Sequence, residues 1–392
     1  MGAKMRTNHH IFFSNAVNMG ELPSESVDLM VTSPPYPMIE MWDELFAQQS
    51  ASVQKTLKRK DGPKAFEFMH QVLDPIWEAV YRVLKFGGFA CINIGDATRT
   101  IHSNFALYPN HMRILKAALK LGFSALPCIL WRKQTNAPNK FMGSGMLPAG
   151  AYVTLEHEYI LILRKGAKRE FPNEEAKKLR RESAIFWEER NNWFSDVWFD
   201  IKGTLQALND KDARLRSAAY PFEVVYRLVN MYSLKGDTVL DPFLGTGTTT
   251  AAAIASGRNS IGYEIEPSME NIVNRIPDVI VDASNQLIRK RLARHLEFVA
   301  DRLKTKGGLK YVNEPYGFPV VTAQENELIF NDLLMVKKMN SGMLAIDYSN
   351  KPQPEFCKDW AAEFRDGSLE SIRETMRHVG INKSAAQMKL FS

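Results

Sequence analysis

The first residues that could do binding chemistry form a glycine-rich stretch, TVLDPFLGTGTTTAAAIA, at residues 238–255. A short β-branched strand ends at Asp241, and Gly245 and Gly247 lead into a small-residue helix that begins near Thr248. Glycines adopt backbone torsions that a Cβ forbids, and they let a nucleotide-type ligand lie against the main chain. Asp241 can accept a hydrogen bond from a cationic group of such a ligand. The pattern therefore predicts a cofactor loop.

A carboxylate follows this loop at the distance at which dinucleotide-binding folds place a ribose ligand. Glu264 ends the strand of NSIGYEIEP, about 20 residues after the glycines, where it can accept hydrogen bonds from ribose hydroxyls. No lysine follows the glycines as a P-loop requires, so the pattern disfavours nucleoside triphosphates. A tight strand-to-helix turn without a ligand is the structural alternative.

The second candidate is a proline-rich loop, Ser33-Pro34-Pro35-Tyr36, which follows a short apolar run that begins at Val27. Open α/β sheets bind ligands outside the carboxyl ends of their strands. Two prolines fix their φ angles, so the carbonyls of Ser33 and Pro34 can be aimed as acceptors. A nucleobase amino group bonded to Ser33 Oγ and the Pro34 carbonyl would become more pyramidal, while Tyr36 stacks on the base. A proline turn with a core tyrosine is the alternative interpretation.

Strands and helices alternate around these loops, which predicts an α/β fold with a mainly parallel sheet covered by helices on both faces. Apolar runs predict strands at residues 27–31, 87–96, 126–131 and 156–166. Amphipathic patterns predict helices within residues 73–85, 110–123 and 220–236, and Gly122 is expected to end the second of them.

The pattern divides the chain into four parts. Residues 1–165 are predicted to form the catalytic half and residues 218–288 the cofactor-binding half. Residues 166–217 carry charges and scattered aromatics without a sustained period, which predicts an inserted or separate subdomain. Residues 289–392 form a C-terminal extension that starts basic and helical and has no recognisable motif.

The composition is that of a globular protein. The 392 residues are 45% hydrophobic, and the net charge of +6 suits a polyanionic partner, although many ordinary enzymes are equally basic. No run approaches the roughly 18 to 20 apolar residues of a membrane span, and no signal peptide is recognisable, so we expect a cytoplasmic protein. Cys91, Cys128 and Cys357 lack the spacing of a zinc site or a disulfide framework, so we expect no metal.

Three further residues have open or structural interpretations. Asp96 closes the strand GGFACINIGD, where it could contact a substrate or cap a turn. His157 heads a strand between two glutamates without partner ligands, and we interpret it as structural. Cys128 lies inside an apolar strand and is expected in the core.

Together, TSPPY and DPFLGTGTT resemble the motifs of the N4-cytosine and N6-adenine DNA amino-methyltransferases. The order, with the proline loop early and the glycine loop late, resembles their permuted beta group over roughly Ile11 to Ile288. The resemblance implies a Rossmann-like methyltransferase fold with an antiparallel strand in the sheet. It also implies S-adenosyl-L-methionine as cofactor and double-stranded DNA as substrate.

The resemblance also assigns roles to individual residues. Ser33-Pro34-Pro35-Tyr36 matches the family's (S/N/D)-P-P-(Y/F/W) tetrapeptide, in which serine occurs mostly in N4-cytosine enzymes and Asp or Asn usually in N6-adenine enzymes. Phe243 would lie beside the adenine or methionine portion of the cofactor, and Asn15 stands where Asp is more usual. The implied cofactor-binding residues are Asn15, Asp241, Pro242, Phe243, Gly245, Gly247, Thr248 and Glu264.

The segment 166–217 lies where the related enzymes keep a variable target-recognition region. Its run EEAKKLRRES is most simply a solvated helix surface, and it is also a candidate DNA contact. The candidate DNA-binding residues are Lys177, Lys178, Arg180 and Arg181.

The implied reaction is base flipping followed by direct attack of an exocyclic amine on the cofactor's methyl group, with no metal and no covalent enzyme intermediate. We expect a site-specific N4-cytosine DNA methyltransferase of a restriction-modification system, with a cognate restriction endonuclease as its partner. The alternatives are an N6-adenine DNA methyltransferase, an RNA methyltransferase and a catalytically inactive DNA-binding regulator. The late glycine loop favours DNA over RNA, and the intact motifs argue against an inactive module.

Overall fold

The computed structural model describes residues 5–133, 142–143, 147–202, 220–339 and 342–364. They belong to two compact units. The SPPY unit, named after its proline loop, comprises the described residues within 15–168 and 195–225. The glycine-loop unit comprises residues 5–14 and 169–194 and the described residues within 226–364.

Strands and helices alternate along the described chain. The strands are β1 Arg6–Phe12, β2 Val27–Thr32, β3 Leu84–Ile94, β4 Ala97–Ile101, β5 Asn104–Tyr108, β6 Phe123–Arg132, β7 Met142–Gly143, β8 Ala151–Tyr152, β9 His157–Lys165, β10 Val197–Trp198, β11 Thr238–Asp241, β12 Asn259–Tyr263, β13 Tyr311–Val312, β14 Pro319–Val320, β15 Leu333–Lys338 and β16 Met343–Tyr348. The helices are α1 Asp43–Gln49, α2 Ala51–Lys58, α3 Gly62–Val83, α4 Asn110–Leu121, α5 Glu174–Glu182, α6 Trp187–Trp193, α7 Phe222–Tyr232, α8 Thr248–Ala255, α9 Glu270–Val273, α10 Ile276–Lys306 and α11 Trp360–Glu363. None of the helices described here is long and apolar enough to cross a membrane.

A five-stranded sheet forms the centre of the SPPY unit, in the order β10-β6-β9-β3-β2. Strands β2 and β3 pair in parallel, as do β6 and β10. Strand β9 lies antiparallel between β3 and β6, so four of the five strands run in one direction. Because β9 is antiparallel to β3, it begins beside the carboxyl end of β3.

Helix α3 is longer than the helix predicted at residues 73–85, because its apolar face extends further back along the sequence. Asp61 caps its N-terminus, and Ala65 and Met69 are fully buried in its first turns. At the other end, strand β3 begins at Leu84, three residues before the predicted strand, because Leu84 is buried and pairs with β2.

The glycine-loop unit contains five strands in the order β11-β12-β1-β16-β15. Strands β11, β12 and β1 pair in parallel, and β16 is antiparallel to both β1 and β15. Four of these five strands also share one direction, which confirms the predicted mainly parallel α/β class. Strands β15 and β16 belong to the C-terminal extension, in which the sequence indicated no motif.

The segment between helices α5 and α6 shares a hydrophobic core with the C-terminal extension. Phe186, just before α6, is fully buried in this core, and Arg291 of α10 pairs with Glu189 of α6 at 2.6 Å. The core consists of Phe186, Ile288, Leu292, Ala293, Leu296, Ala300, Tyr316, Phe318, Val320, Leu328, Phe330, Phe356 and Trp360. Within the predicted insert at residues 166–217, residues 169–194 belong to the same unit as the C-terminal extension and residues 195–202 to the SPPY unit, while residues 203–217 lie outside the described residues.

Candidate active site

The SPPY loop follows directly on strand β2, at the edge where the parallel strands β2 and β3 end. All six residues of β2 are buried. Pro34 and Pro35 are also buried, whereas Ser33 and Tyr36 are half-buried. Because the prolines fix their φ angles, the loop leaves the strand in a defined direction. It lies at the kind of strand end where open α/β sheets bind ligands, as the sequence predicted.

The hydroxyl of Tyr36 is the centre of a hydrogen-bond network. It donates to Glu158 Oε2 at 2.9 Å, and it lies 3.1 Å from Ser33 Oγ. Asn93 Nδ2 is 2.9 Å from the same hydroxyl, 2.7 Å from Glu158 Oε2 and 3.4 Å from Ser33 Oγ. Lys133 Nζ is 3.0 Å from the other carboxylate oxygen of Glu158. The loop is thus attached to side chains of β3 and β9.

The antiparallel register of β3 and β9 brings Asn93 and Glu158 together. Asn93 pairs with Ile160, two residues after Glu158. Side chains alternate along a strand, so Glu158 and Ile160 point to the same face, and Glu158 is a diagonal neighbour of Asn93. Neither residue was predicted from the sequence. The one available signal was Asn93 itself, an amide inside an otherwise apolar strand.

The environment of Tyr36 keeps its hydroxyl protonated. Burial and the nearby Glu158 carboxylate raise the pKa of Tyr36 well above its usual value, and Tyr220 raises it further. A hydrogen bond with Ser33 acts in the opposite direction. Tyr36 is therefore a neutral hydrogen-bond donor and acceptor, and not a base.

Gly95 allows the ring of Tyr36 to approach the end of β3. A Cβ at this position would lie 3.0 Å from Tyr36 Cε2 and 3.4 Å from Glu158 Cγ. Glycine therefore gives the ring close approach to the backbone. An alanine here would require the ring of Tyr36 to move by a few tenths of an ångström.

Asn110, the first residue of α4, holds the far side of the SPPY loop. Its Nδ2 donates to the carbonyl oxygens of Pro37 at 3.1 Å and Gly95 at 3.0 Å, and its Oδ1 lies 3.0 Å from His70 Nε2. Burial lowers the pKa of His70 to about 3, so this ring is neutral at physiological pH. Asn110 therefore fixes the distance between the loop and the end of β3.

The residues with open interpretations now have defined contacts. Asp96 accepts from the backbone N–H of His111 at 3.1 Å and from its Nδ1 at 2.8 Å, so it caps helix α4. His157 packs edge-on against Tyr159. Cys128, expected in the core, is half-buried because its strand β6 has several exposed positions.

The glycine loop has the two left-handed residues that its sequence predicted. Gly245 has φ +56° and Gly247, the N-cap of helix α8, has φ +86°. A Cβ on Gly247 would lie 2.6 Å from Ile276 Cδ1, so the end of that side chain would have to shift to admit one. Apart from its chain neighbours, no heavy atom of the described residues lies within 4 Å of the Cβ position of Gly245, so this face of the loop is open.

Glu264 and Asp241 bind the backbone of this loop. Glu264 accepts from the N–H groups of Gly245 and Glu266, each at 2.7 Å. Burial raises the pKa of Glu264, and these two backbone bonds lower it. Asp241 accepts from the Phe243 N–H at 3.0 Å and from the Thr249 hydroxyl at 2.6 Å.

The remaining predicted ligand residues lie in different environments. Phe243 is half-buried, and Pro242 and Thr248 are buried. Asn15 is exposed in the SPPY unit, and its Oδ1 accepts from the Val17 N–H at 3.0 Å. The other predicted cofactor residues all belong to the glycine-loop unit.

The predicted DNA-binding residues lie on helix α5 and are partly engaged within their own unit. Lys177 pairs with Glu174 at 2.8 Å and Arg181 with Glu327 at 2.7 Å. The Arg180 guanidinium lies 4.6 Å from the centre of the Phe171 ring. Lys178 is 3.8 Å from Glu182.

The chain is similar to known DNA methyltransferases over most of its length. The family model described as DNA methylase, N6_N4_Mtase, matches residues 27–275. The Type II methyltransferase M.MthZI of Methanothermobacter thermautotrophicus is 52% identical over 325 residues, which are 83% of this chain and 90% of that protein. M.MjaI of Methanocaldococcus jannaschii, another Type II methyltransferase, is 52% identical over 284 residues, 70% of this chain and 92% of that protein.

A solved structure with a similar fold contains the expected cofactor. It is that of a candidate DNA modification methylase from Thermus thermophilus in complex with S-adenosyl-L-methionine, at 29% identity and a TM-score of 0.53. The match covers 70% of this chain and 93% of that protein. The chain therefore belongs to the N6/N4 family of DNA methylases, and it is a DNA methyltransferase that takes its methyl group from S-adenosyl-L-methionine.

Proposed function

We propose that this methyltransferase modifies the exocyclic N4 of cytosine in double-stranded DNA, with the target base rotated out of the duplex. The observation that carries the proposal is Ser33 at the head of the proline loop, because serine at this position occurs mostly in N4-cytosine enzymes. Ser33 Oγ lies at the end of β2, 3.1 Å from the Tyr36 hydroxyl, and offers a fixed acceptor for an amine.

The proposed chemistry increases the nucleophilicity of the amine. A planar, conjugated amino group is a poor nucleophile because its lone pair is delocalised into the ring. Hydrogen bonds from its two N–H groups to Ser33 Oγ and the Pro34 carbonyl favour a pyramidal nitrogen with an available lone pair. The ring of Tyr36 stacks on the base and holds the amine against these acceptors. The reaction then needs no covalent enzyme intermediate.

The glycine-loop residues fit S-adenosyl-L-methionine. When bound, this cofactor supplies a methyl group on a sulfonium centre. The open face of Gly245 leaves room for a ligand against the backbone, and the half-buried carboxylate of Glu264 gains partners if ribose hydroxyls donate to it. Phe243 offers an aromatic face. We assign Asp241, Pro242, Gly247 and Thr248 to shaping this loop, and Asn15 to the adenine amino group.

The product of the reaction identifies the target base. DNA treated with the protein and S-adenosyl-L-methionine is digested to nucleosides and separated by chromatography with mass detection. We expect N4-methyldeoxycytidine, and far less of it from DNA treated with Ser33→Ala. N6-methyldeoxyadenosine as the product would overturn the proposed base and establish the N6-adenine alternative. Methylated RNA but unmethylated DNA would overturn the proposed substrate, and no product on either polymer would support the inactive regulator.

Helix α5 is the proposed DNA contact. Its pairs with Glu174 and Glu182 are exposed, and exposed ion pairs are weak, so DNA phosphates can compete for these cations. Neutralising Lys177, Lys178, Arg180 and Arg181 should weaken binding and make its salt dependence shallower by roughly one unit for each phosphate interaction that is removed. The matched control neutralises the exposed residues Lys304, Lys306 and Lys310.

Binding is measured on cognate and random duplexes across a salt series. Wild-type affinity of the α5 variant at every salt concentration would overturn the proposed contact. A restriction endonuclease with the same target is the proposed cellular partner, because M.MthZI and M.MjaI are named Type II methyltransferases. DNA from cells that express the protein should resist such an endonuclease, and full cleavage would contradict the pairing.

A further inference from the structure

Glu158 lies at the end of a chain of hydrogen bonds that reaches Ser33. We propose that Glu158 is a positioning residue that fixes the direction of these bonds, so that Ser33 Oγ presents lone pairs and not a proton to the target amine. The inference rests on the proposed function in one respect, that the reacting group is an exocyclic amine. It holds equally for cytosine and adenine.

The first bond in the chain has only one allowed direction. An ionised carboxylate accepts hydrogen bonds and cannot donate them. Glu158 is largely buried, its side chain 12% exposed, and Lys133 lies 3.0 Å from its Oε1. The Tyr36 hydroxyl is 2.9 Å from Glu158 Oε2, so Tyr36 must donate its single proton to this oxygen.

The second bond follows from the first. With its proton engaged, the Tyr36 oxygen can only accept from its other neighbours. Ser33 Oγ is 3.1 Å away, so the serine hydroxyl must be the donor in this pair. The serine proton then points to Tyr36, and the serine oxygen can accept from the N–H of a bound base, since its other neighbour, Asn93 Nδ2, is a donor at 3.4 Å. Without Glu158, the tyrosine could donate to Ser33, and the serine could turn its own proton towards the amine.

The orientation of Asn93 is consistent with the same carboxylate. Its Nδ2 lies 2.7 Å from Glu158 Oε2 and 2.9 Å from the Tyr36 hydroxyl. Its Oδ1 is buried and has no hydrogen-bond partner among the residues that the structure describes. Rotating the amide by half a turn would place Oδ1 against the carboxylate, where two acceptors repel. Asn93 therefore also donates to the Tyr36 oxygen, which accepts on this side while the tyrosine proton points to Glu158.

The test compares single-turnover methylation rates of Glu158→Ala and Glu158→Gln with the wild type. We expect Glu158→Ala to lower the rate by about 10-fold to 100-fold, since one preorganised acceptor for the amine is no longer fixed. Glu158→Gln should retain part of the rate, because an amide oxygen can still accept from Tyr36. The KM for DNA and the dissociation constant of S-adenosyl-L-methionine should stay unchanged. Glu156→Ala is the matched control, since Glu156 precedes the same strand and pairs with Arg132.

The deciding measurement repeats both substitutions in a Tyr36→Phe background. If Glu158 acts through the tyrosine hydroxyl, removing its carboxylate should not lower the single-turnover rate of the Tyr36→Phe protein any further. If Glu158 has a general structural role, the two substitutions should lower the rate independently, and their effects should add. An additive loss, or a wild-type rate in Glu158→Ala, would overturn the inference. Should Glu158→Ala fail to fold in a thermal melt, the same comparison with Glu158→Gln decides.

The assay keeps this inference separate from the choice of base. Rates are measured on whichever base the wild-type protein methylates. An adenine product would revise the proposed function and leave the inference intact. A cytosine product with additive losses of rate would support the proposed function and overturn the inference.

Discussion

Replacing Gly245 with alanine separates the stability of the glycine loop from its ability to bind the cofactor. Gly245 has φ +56°, and in the part of the chain that the structure describes no heavy atom beyond its chain neighbours lies within 4 Å of the position that its Cβ would take. The left-handed conformation costs an alanine roughly 1–2 kcal/mol. Because the new methyl group displaces no neighbour, we expect the free energy of unfolding to fall by about this amount and no more.

The same methyl group should weaken cofactor binding. It would fill the open face against which we place S-adenosyl-L-methionine, so the ligand could no longer lie against the backbone at Gly245. A displacement that removes one interaction of about 1.4 kcal/mol raises the dissociation constant about tenfold. We therefore expect the Gly245→Ala protein to fold and to bind S-adenosyl-L-methionine at least tenfold more weakly than the wild type.

Gly247→Ala is the matched variant, because it carries the same change two residues away. Its Cβ would lie 2.6 Å from Ile276 Cδ1, and its φ is +86°, so we expect a larger loss of stability than for Gly245→Ala. Calorimetric titration with S-adenosyl-L-methionine and thermal melts measure both effects. If Gly245→Ala binds the cofactor as tightly as the wild type, the cofactor does not approach this face, and the proposed site is wrong.

Three other perturbations give separate outcomes. Ser33→Ala should lower the single-turnover rate by roughly 10² to 10³ and leave cofactor affinity unchanged, because it removes one acceptor for the amine; an unchanged rate would contradict the role of Ser33. Asn110→Ala leaves two buried carbonyl oxygens without their donor, so urea denaturation should show a loss of about 2 kcal/mol or more, and a neutral result would contradict the holding role of Asn110. Burial lowers the pKa values of His9 and His70 to about 3, so below pH about 6.5 the unfolded chain binds protons that the folded chain excludes. Stability should therefore fall by about 1.4 kcal/mol per pH unit for each ring as the pH drops from about 6.5 to 3, and denaturation midpoints that do not change with pH in this window would contradict the assigned burial.

Features that depend on residues adjacent in the sequence were predictable from it. The strand that precedes the SPPY loop, the helix end at Gly122 and the left-handed glycines of the glycine loop all occur where expected. In each case, local chemistry decides the outcome: an apolar run stops at prolines, or a glycine takes a torsion that other residues avoid. The class of the fold followed from the alternation of such local elements.

Features that depend on distant pairing were not predictable. Strand β16 adds to the sheet because Thr7 pairs with Ile346, and nothing near residue 346 distinguishes this run from other short apolar segments. The same limit applies to the predicted insert. Phe186 looks like one of several scattered aromatics in the sequence, yet it lies in a core built mostly from residues 288–360.

Charge patterns have a similar limit. The run EEAKKLRRES shows four neighbouring cations, and its Lys177–Glu174 pair could be anticipated from the i,i+3 spacing. The pair between Arg181 and Glu327 could not, because the carboxylate comes from the C-terminal extension. A count of cations in the sequence therefore overstates the positive charge of α5 that is available for the proposed DNA contact. DNA binding across a salt series measures how much of this charge is available.

The sequence motif of the proline loop does not by itself determine whether its serine donates or accepts a hydrogen bond. Ser33-Pro34-Pro35-Tyr36 identifies which oxygen atoms can meet an amine, but a serine oxygen can donate as well as accept. The direction is decided by Glu158, which lies 122 residues after Tyr36 in the chain and beside it in the structure. A one-residue slip in the register of β3 and β9 would turn Glu158 to the opposite face and remove this control. The catalytic competence of the motif therefore depends on a strand pairing that the motif itself does not encode.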